Sequence, residues 1–190
     1  MIRPFLTPAP EADTLRGAIA AAIPTLETER LILRAPRLSD YEVLEPIWRT
    51  DRAVYIGGPF NEEDAWLDFC QAVASWVLRG IGYWVVTLKN GTVLGFVGIG
   101  AETSDPELEF GWLLTAEAEG HGYATEAART VHGYAFGTLG LKTLISFVER
   151  GNAASIRLAQ RLGAVEDPAV LSGEDAEHAI AFRHSKGAVQ

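Results

Sequence analysis

The stretch "EGHGYATEAAR", Glu119 to Arg129, decides how this chain is read. Two glycines bracket a histidine directly in front of a run of helix formers. Upstream, "LEFGWLL" (Leu108 to Leu114) has the apolar and aromatic content of a strand. Downstream, Ala124, Ala127, Ala128, Val131, Ala135 and Leu139 recur at helical spacing. The context is therefore strand, glycine turn, helix. The first N–H groups of such a helix lack internal partners, and with the helix dipole they favour an anion. Three readings stand open on these residues: a turn that serves geometry alone, a nucleotide phosphate loop, and a coenzyme pyrophosphate cradle. A Walker-type loop needs Gly-Lys-Ser/Thr, where this chain has His121 and Tyr123. A dinucleotide fingerprint needs a third glycine, and that position is Thr125.

The bulk numbers narrow the field. A chain of 190 residues suffices for one domain with a sizeable core. Hydrophobic residues at 48% and charged residues at 22% are ordinary for a globular protein. The net charge of −9 argues against a nucleic-acid surface, which needs clustered Lys and Arg, and permits a cationic partner. One cysteine, Cys70, excludes an internal disulfide and fits a reducing cytoplasm. No stretch reads as a signal peptide or a membrane span. The four histidines show no metal spacing, so no metal is expected.

Residues 1–24, with four prolines and an alanine-rich patch, read as a loose arm holding one helix from Glu11 to Ala22. The domain proper is expected over 25–190. "TERLILR" (Thr28 to Arg34) is the first strand. "SDYE" (Ser39 to Glu42) has the form of a capping box, with Pro46 ending or kinking the helix it opens. "NEED" at Asn61 opens a second helix whose apolar face is Trp66, Phe69, Cys70, Val73, Trp76 and Val77. Tyr83–Leu88 and Val93–Ile99 pair through Asn90-Gly91, a strong hairpin signal. After the glycine-turn helix come a strand over Thr143–Val148, a helix over Asn152–Leu162 closed by Gly163, and a last strand over His178–His184. The order implies an α/β domain: one mixed, mostly antiparallel twisted sheet of six to seven strands with helices on both faces.

From Thr28 to His184 these residues resemble the GNAT-type N-acetyltransferases, in their ribosomal-protein N-terminal (Rim-type) branch. "ETERLILRAPRLSDYE" is similar to that branch's opening strand and first helix, and "LEFGWLL" to its central strand. "EGHGYATEA" resembles the acetyl-CoA loop, Gln/Arg-x-x-Gly-x-Gly/Ala, and "RGNAASIRLAQRLGA" the Asn-x-x-Ser helix. The resemblance implies a single acetyltransferase domain that uses acetyl-CoA and an amine acceptor, without nucleic acid or membrane, as a monomer or homodimer in the cytoplasm. It selects the coenzyme reading of the loop. Glu119, Gly120, His121, Gly122, Tyr123, Ala124 and Thr125 then cradle the pyrophosphate, mainly through backbone N–H groups, with Gly122 allowing close approach. The family's leading Gln or Arg is here Glu119, whose carboxylate is expected to point away from the phosphates.

Acetyl transfer to an amine needs a proton acceptor, and a carboxylate with a raised pKa serves. Glu109, alone among apolar residues, sits where the family places such a carboxylate; Glu107 is the alternative. The backbone after it, at Leu113 and Leu114, is expected to hold the pantetheine and thioester. Asn152 is expected to cap its helix and face the cofactor. Many members carry a tyrosine one or two turns further on, but Leu158–Val165 has none, which leaves Ser155 to donate to the leaving sulfur. Cys70 reads as core. Acids at Glu62, Glu63, Asp64 and Asp68 border the expected acceptor side, Asp64 and Asp68 forming an acidic entrance. A rival reading from another class is a non-catalytic acyl-CoA-sensing module; a weaker one is a nucleotide-binding protein.

Overall fold

The computed structural model describes residues 3–103 and 105–187, so the first two residues of the arm and the last three of the expected domain lie outside it. Eight strands form one sheet: β1 (Leu26–Glu27), β2 (Leu31–Arg34), β3 (Tyr83–Leu88), β4 (Val93–Gly100), β5 (Glu109–Leu114), β6 (Thr143–Glu149), β7 (Val165–Glu166) and β8 (Ala179–Ser185). Their order is β1-β2-β3-β4-β5-β6-β8-β7, and every neighbouring pair is antiparallel except β5 and β6. The sheet has more strands than the sequence suggests because β1 and β7 span two residues each, too few to leave an alternation pattern.

The helices are α1 (Asp13–Ala22), α2 (Asp40–Arg49), α3 (Glu62–Arg79), α4 (Tyr123–Gly133), α5 (Ala153–Arg161) and α6 (Gly173–His178). Side chains alternate across a strand, so β3 and β4 are apolar on both faces and feed two cores. On one side Trp84, Val86, Val97, Ile99 and Phe110 pack with Ala127, Ala128 and Val131 of α4. The small alanines let that helix lie close to the sheet. On the other side Val85 and Phe96 pack with Tyr41, Leu44 and Trp48 of α2 and Phe69 of α3.

Several local expectations are corrected. Ser39 makes no capping bond. The first N–H groups of α2 bond the Arg37 and Leu38 carbonyls instead. The buried Asp40 reaches back, accepting the Arg37 N–H at 2.7 Å and a two-pronged contact from Arg34 at 2.7 and 2.8 Å. Pro46 lies inside α2, which continues to Arg49. Val77 is 66% exposed rather than on the buried face of α3. The arm is docked rather than loose. Arg3 reaches Glu45 at 2.6 Å, Phe5 packs on Tyr41 and Trp66, Ile23 enters the core, and the Pro24 carbonyl accepts the Trp84 indole N–H at 2.7 Å.

The feature that positions a site is the β5–β6 pair. These parallel strands are in register only at Glu109 and Ile145, where the Ile145 N–H donates to the Leu108 carbonyl at 3.1 Å. Beyond Phe110 they diverge. The Ser146 hydroxyl donates to the Phe110 carbonyl at 2.5 Å and is itself 2.9 Å from His184 Nε2.

Candidate active site

A cleft of about 480 Å³ opens where β5 leaves β6, walled by α3 and the loop before it. Glu109, Tyr83, Asp68, Trp48, Arg52 and Ser155 all face it. Glu109 stands at the last point of pairing, so its strand is anchored while its side chain looks into the gap. Burial pushes its carboxyl up to about 7, helped by the charges of Asp105, Glu102 and Asp68 and opposed by the backbone N–H of Phe147. No cation pairs with it among the described residues. A half-protonated carboxyl at neutral pH is poised to take a proton.

Glu107 is not an equivalent alternative. Arg183 grips it with two bonds at 2.7 and 2.9 Å and also holds Asp167 at 2.6 Å. The hydrogen bonds from Arg183 hold the Glu107 carboxyl below its ordinary value. A carboxylate satisfied in this way is a poor proton acceptor.

The glycine turn ends in the N-terminus of α4. Gly120 and Gly122 have φ of +76° and +78°, values that favour glycine. Gly122 is the N-cap residue, and the Glu126 N–H is the first to bond back, to the Gly122 carbonyl at 3.1 Å. The N–H groups of Tyr123, Ala124 and Thr125 therefore have no intrahelical partner. His121 and Tyr123 stack on each other with centroids 5.4 Å apart. The turn is braced by Arg30, which donates to the His121 carbonyl at 3.0 Å, pairs with Glu126 at 2.6 Å and lies over the Tyr123 ring. Glu119 turns to Arg52, 2.8 Å away, and the same guanidinium donates to the Leu114 carbonyl at 2.6 Å. Charge pairing thus occupies the carboxylate that the sequence leaves beside the glycine turn.

Along the open edge, antiparallel alternation decides which backbone groups are available. The Thr115 N–H bonds the Leu94 carbonyl at 2.8 Å, and Phe96 pairs with Leu113 two residues on. That phase turns the Leu113 N–H toward β4. The open edge is carried by Trp112 and Leu114, so of the two expected backbone donors only Leu114 faces the gap. Across it, Asn152 caps α5, its side-chain oxygen accepting the Ser155 N–H at 3.1 Å. The Ser155 hydroxyl accepts the Trp112 indole N–H at 3.1 Å, tying α5 to β5.

Three residues escaped the sequence reading. Arg30 and Arg52 come from distant segments and gave no local signal. Tyr83 looked like an ordinary strand residue, although Gly98 and Gly100 inside a strand mark a close approach by something. Asp64 does not face the cleft: it is bound by Asn61, the cap of α3, at 2.7 Å. Asp68 does face it, held by the Trp48 indole. No group of residues suited to a metal occurs among the described residues, and none of their helices is long and apolar enough to cross a membrane.

A glycine turn before a helix, a split parallel pair and a buried carboxyl at its apex suit a transferase that works on a coenzyme-borne group. The comparisons with known proteins say which. The model of the Acetyltransferase (GNAT) domain matches residues 30–165. The chain therefore belongs to the GNAT family and is an acetyl-CoA-dependent acetyltransferase. The acetyltransferase of Agrobacterium tumefaciens C58 is 37% identical, with a TM-score of 0.81 over 86% of this chain and 95% of that one. The uncharacterized N-acetyltransferase p20 of Bacillus licheniformis is 29% identical over 73% of this chain and 80% of its own length. A shorter match to YkkB of Bacillus subtilis, 32% identical, spans 44% of this chain and 51% of that protein. The fold is shared with a spermidine N-acetyltransferase of Vibrio cholerae, solved with CoA and spermine, at a TM-score of 0.67 and 16% identity over 85% of this chain and 98% of that one.

Proposed function

We propose that this enzyme moves the acetyl group of acetyl-CoA to a primary amine by direct attack, with Glu109 as the proton acceptor. The observation that carries the reading is the Glu109 carboxyl, raised to about 7 at the apex of the split. The N–H groups at the start of α4 and in the glycine turn hold the pyrophosphate, flanked by Arg30. Leu114 and Trp112 offer backbone groups to the pantetheine arm, and Asn152 and Ser155 face it from α5. Entry of the coenzyme displaces Arg52 from the Leu114 carbonyl. The acceptor nitrogen then attacks the thioester carbon from the side of Asp68, Glu102 and Asp105. Those acids favour an amine that arrives as a cation, whether a polyamine or a protein N-terminus. Glu109 strips its proton so that a neutral nitrogen attacks.

The test has two parts. Acetyl-CoA should raise the melting temperature while ATP and NAD leave it unchanged. CoA release should then be followed with spermidine and with an alanine-initiated peptide. Stabilisation by acetyl-CoA without CoA release on either amine, at any pH between 6 and 9, would leave a sensing module in place of a catalyst.

A further inference from the structure

One row across the sheet is almost empty. Tyr83 of β3 pairs with Gly98 of β4, which pairs with Gly111 of β5. Residues paired directly across strands share a face, so the tyrosine has no side chain beside it for two strands and lies down over that floor. A Cβ on Gly111 would stand 2.5 Å from the Tyr83 hydroxyl, and one on Gly98 2.8 Å from its Cγ. The next row holds Gly100 and Glu109, and a Cβ on Gly100 would lie 3.0 Å from the same ring. Three glycines thus clear a channel that delivers one hydroxyl from β3 to the face of β5 that bears Glu109. The Tyr83 carbonyl is occupied by the Trp76 indole at 2.9 Å, while its hydroxyl has no protein partner among the described residues and faces the cleft.

We propose that Tyr83 is the acid that protonates the departing coenzyme thiol, and that it recovers its proton from Glu109. The inference rests on the acetyl-transfer reading above. Glu109, having passed the ammonium's first proton to solvent, is a carboxylate again when the neutral amine nitrogen bonds to the thioester carbon and gives it a second proton. The carbon–sulfur bond breaks with its electron pair going to sulfur, and the Tyr83 O–H proton follows. The phenolate then takes the proton held by Glu109. The products are the amide and the free thiol, and both side chains are reset. Ser155 is less suited, because an alcohol is a much weaker acid than a phenol. The ordinary value of a phenol is about 10, against about 8.5 for a thiol. Burial raises Tyr83 well above that ordinary value, and the charge of Glu109 raises it further. Once Glu109 carries the amine's proton that charge is gone, so Tyr83 becomes a better donor at the step that needs one.

Tyr83→Phe keeps the ring on its glycine floor and removes the proton. With spermidine or the alanine-initiated peptide, kcat should fall about 10²-fold, with acetyl-CoA affinity by calorimetry within about twofold. Ser155→Ala should cost less. Gly111→Ala, which displaces the hydroxyl without removing it, should also lower kcat. With 3-fluorotyrosine at position 83, added CoA should shift the ¹⁹F resonance, and kcat should change further with 3,5-difluorotyrosine as the phenol acidifies. A Tyr83→Phe enzyme within about threefold of wild-type kcat overturns the assignment. So does a ¹⁹F signal indifferent to CoA, or a kcat indifferent to fluorination. If wild type releases no more CoA with either amine than without it, the acetyl-transfer reading itself fails and the role of Tyr83 falls with it.

Discussion

Glu107 and Glu109 are two residues apart, yet the fold treats them in opposite ways. Glu107 lies before the start of β5, where Arg183 reaches over from β8 and clamps it together with Asp167. Glu109 lies where β5 and β6 begin to part, with no cation paired to it among the described residues and the charges of three other carboxylates acting on it. One carboxyl is held low by a hydrogen-bonded guanidinium and the other is pushed up to about 7, chiefly by burial. Position in the sheet, rather than residue type, gives one glutamate a counter-charge and leaves the other raised. A buried carboxyl without a counter-charge costs stability, a cost tolerated where the proposed chemistry would need it.

The contrast breaks most visibly in rate. Glu109→Gln should lower kcat/KM by about 10²–10⁴ and abolish the rise in rate through pH about 7. Glu107→Gln should stay within about threefold of wild type and keep that rise. Equal losses from the two substitutions in a pH–rate comparison would mean that the carboxyl pair acts as a unit, contrary to its geometry.

Stability should move the other way. Glu109 has a folded value raised above its unfolded one, so the folded state holds the proton more tightly. Its contribution therefore becomes unfavourable as pH climbs from the ordinary carboxylate range to about 7, and stays so above. A tenfold difference in proton affinity between the folded and unfolded chain is worth about 1.4 kcal/mol. Glu109→Gln should accordingly be more stable than wild type at pH 8, by roughly 1–3 kcal/mol, and indistinguishable from it near pH 4. Glu107 has the opposite sign. Its folded value is lowered, so it stabilises above the unfolded value and loses that contribution as pH falls through the folded one. Both side chains of the Glu107–Arg183 pair are partly exposed, at 26% and 32%, and Arg183 keeps Asp167. Glu107→Gln should thus cost about 1 kcal/mol at pH 7 and nothing at low pH. Urea titrations at three pH values read both signs at once.

The sequence carried the elements well where periodicity was long. The glycine turn with its helix, the Asn90-Gly91 hairpin and the Asn61 cap all appear as their local chemistry demands. It failed where a partner from far away decided the outcome. Ser39 makes no cap, and the turn before α2 is fixed instead by Asp40, which Arg34 reaches from another element. Glu107 and Glu109 could not be ranked because the cation that separates them, Arg183, lies on β8. Arg52 answers the question of Glu119 from 67 residues away. Gly98, Gly100 and Gly111 were visible, but what crosses them became apparent only once three strands stood in register. Pairwise charge and cross-strand rows belong to tertiary structure and leave little trace in a local pattern.

The smallest effects concern the acids around Glu109. They act on it through space, and their influence ranks as Asp105, then Glu102, then Asp68. Neutralising each should let Glu109 ionise more readily, so the acid limb of kcat/KM moves to lower pH in that order. Asp105→Asn keeps an oxygen to accept the Glu102 N–H, a bond of 2.6 Å, and so tests charge with little change of loop structure. Asp64→Asn is the control. Its side chain is tied to the Asn61 cap at the exposed start of α3 and does not line the cleft. It should leave the limb where it is while slightly weakening the helix. Salt sharpens the distinction, because exposed charges are screened over about 8–10 Å at ordinary ionic strength and buried ones much less. Raising salt to about 0.5 M should shrink the Asp105 and Glu102 effects, while the larger displacement of Glu109 caused by burial persists. If Asp64→Asn moves the limb as far as Asp105→Asn does, the field at Glu109 belongs to the whole acidic surface and not to its immediate neighbours.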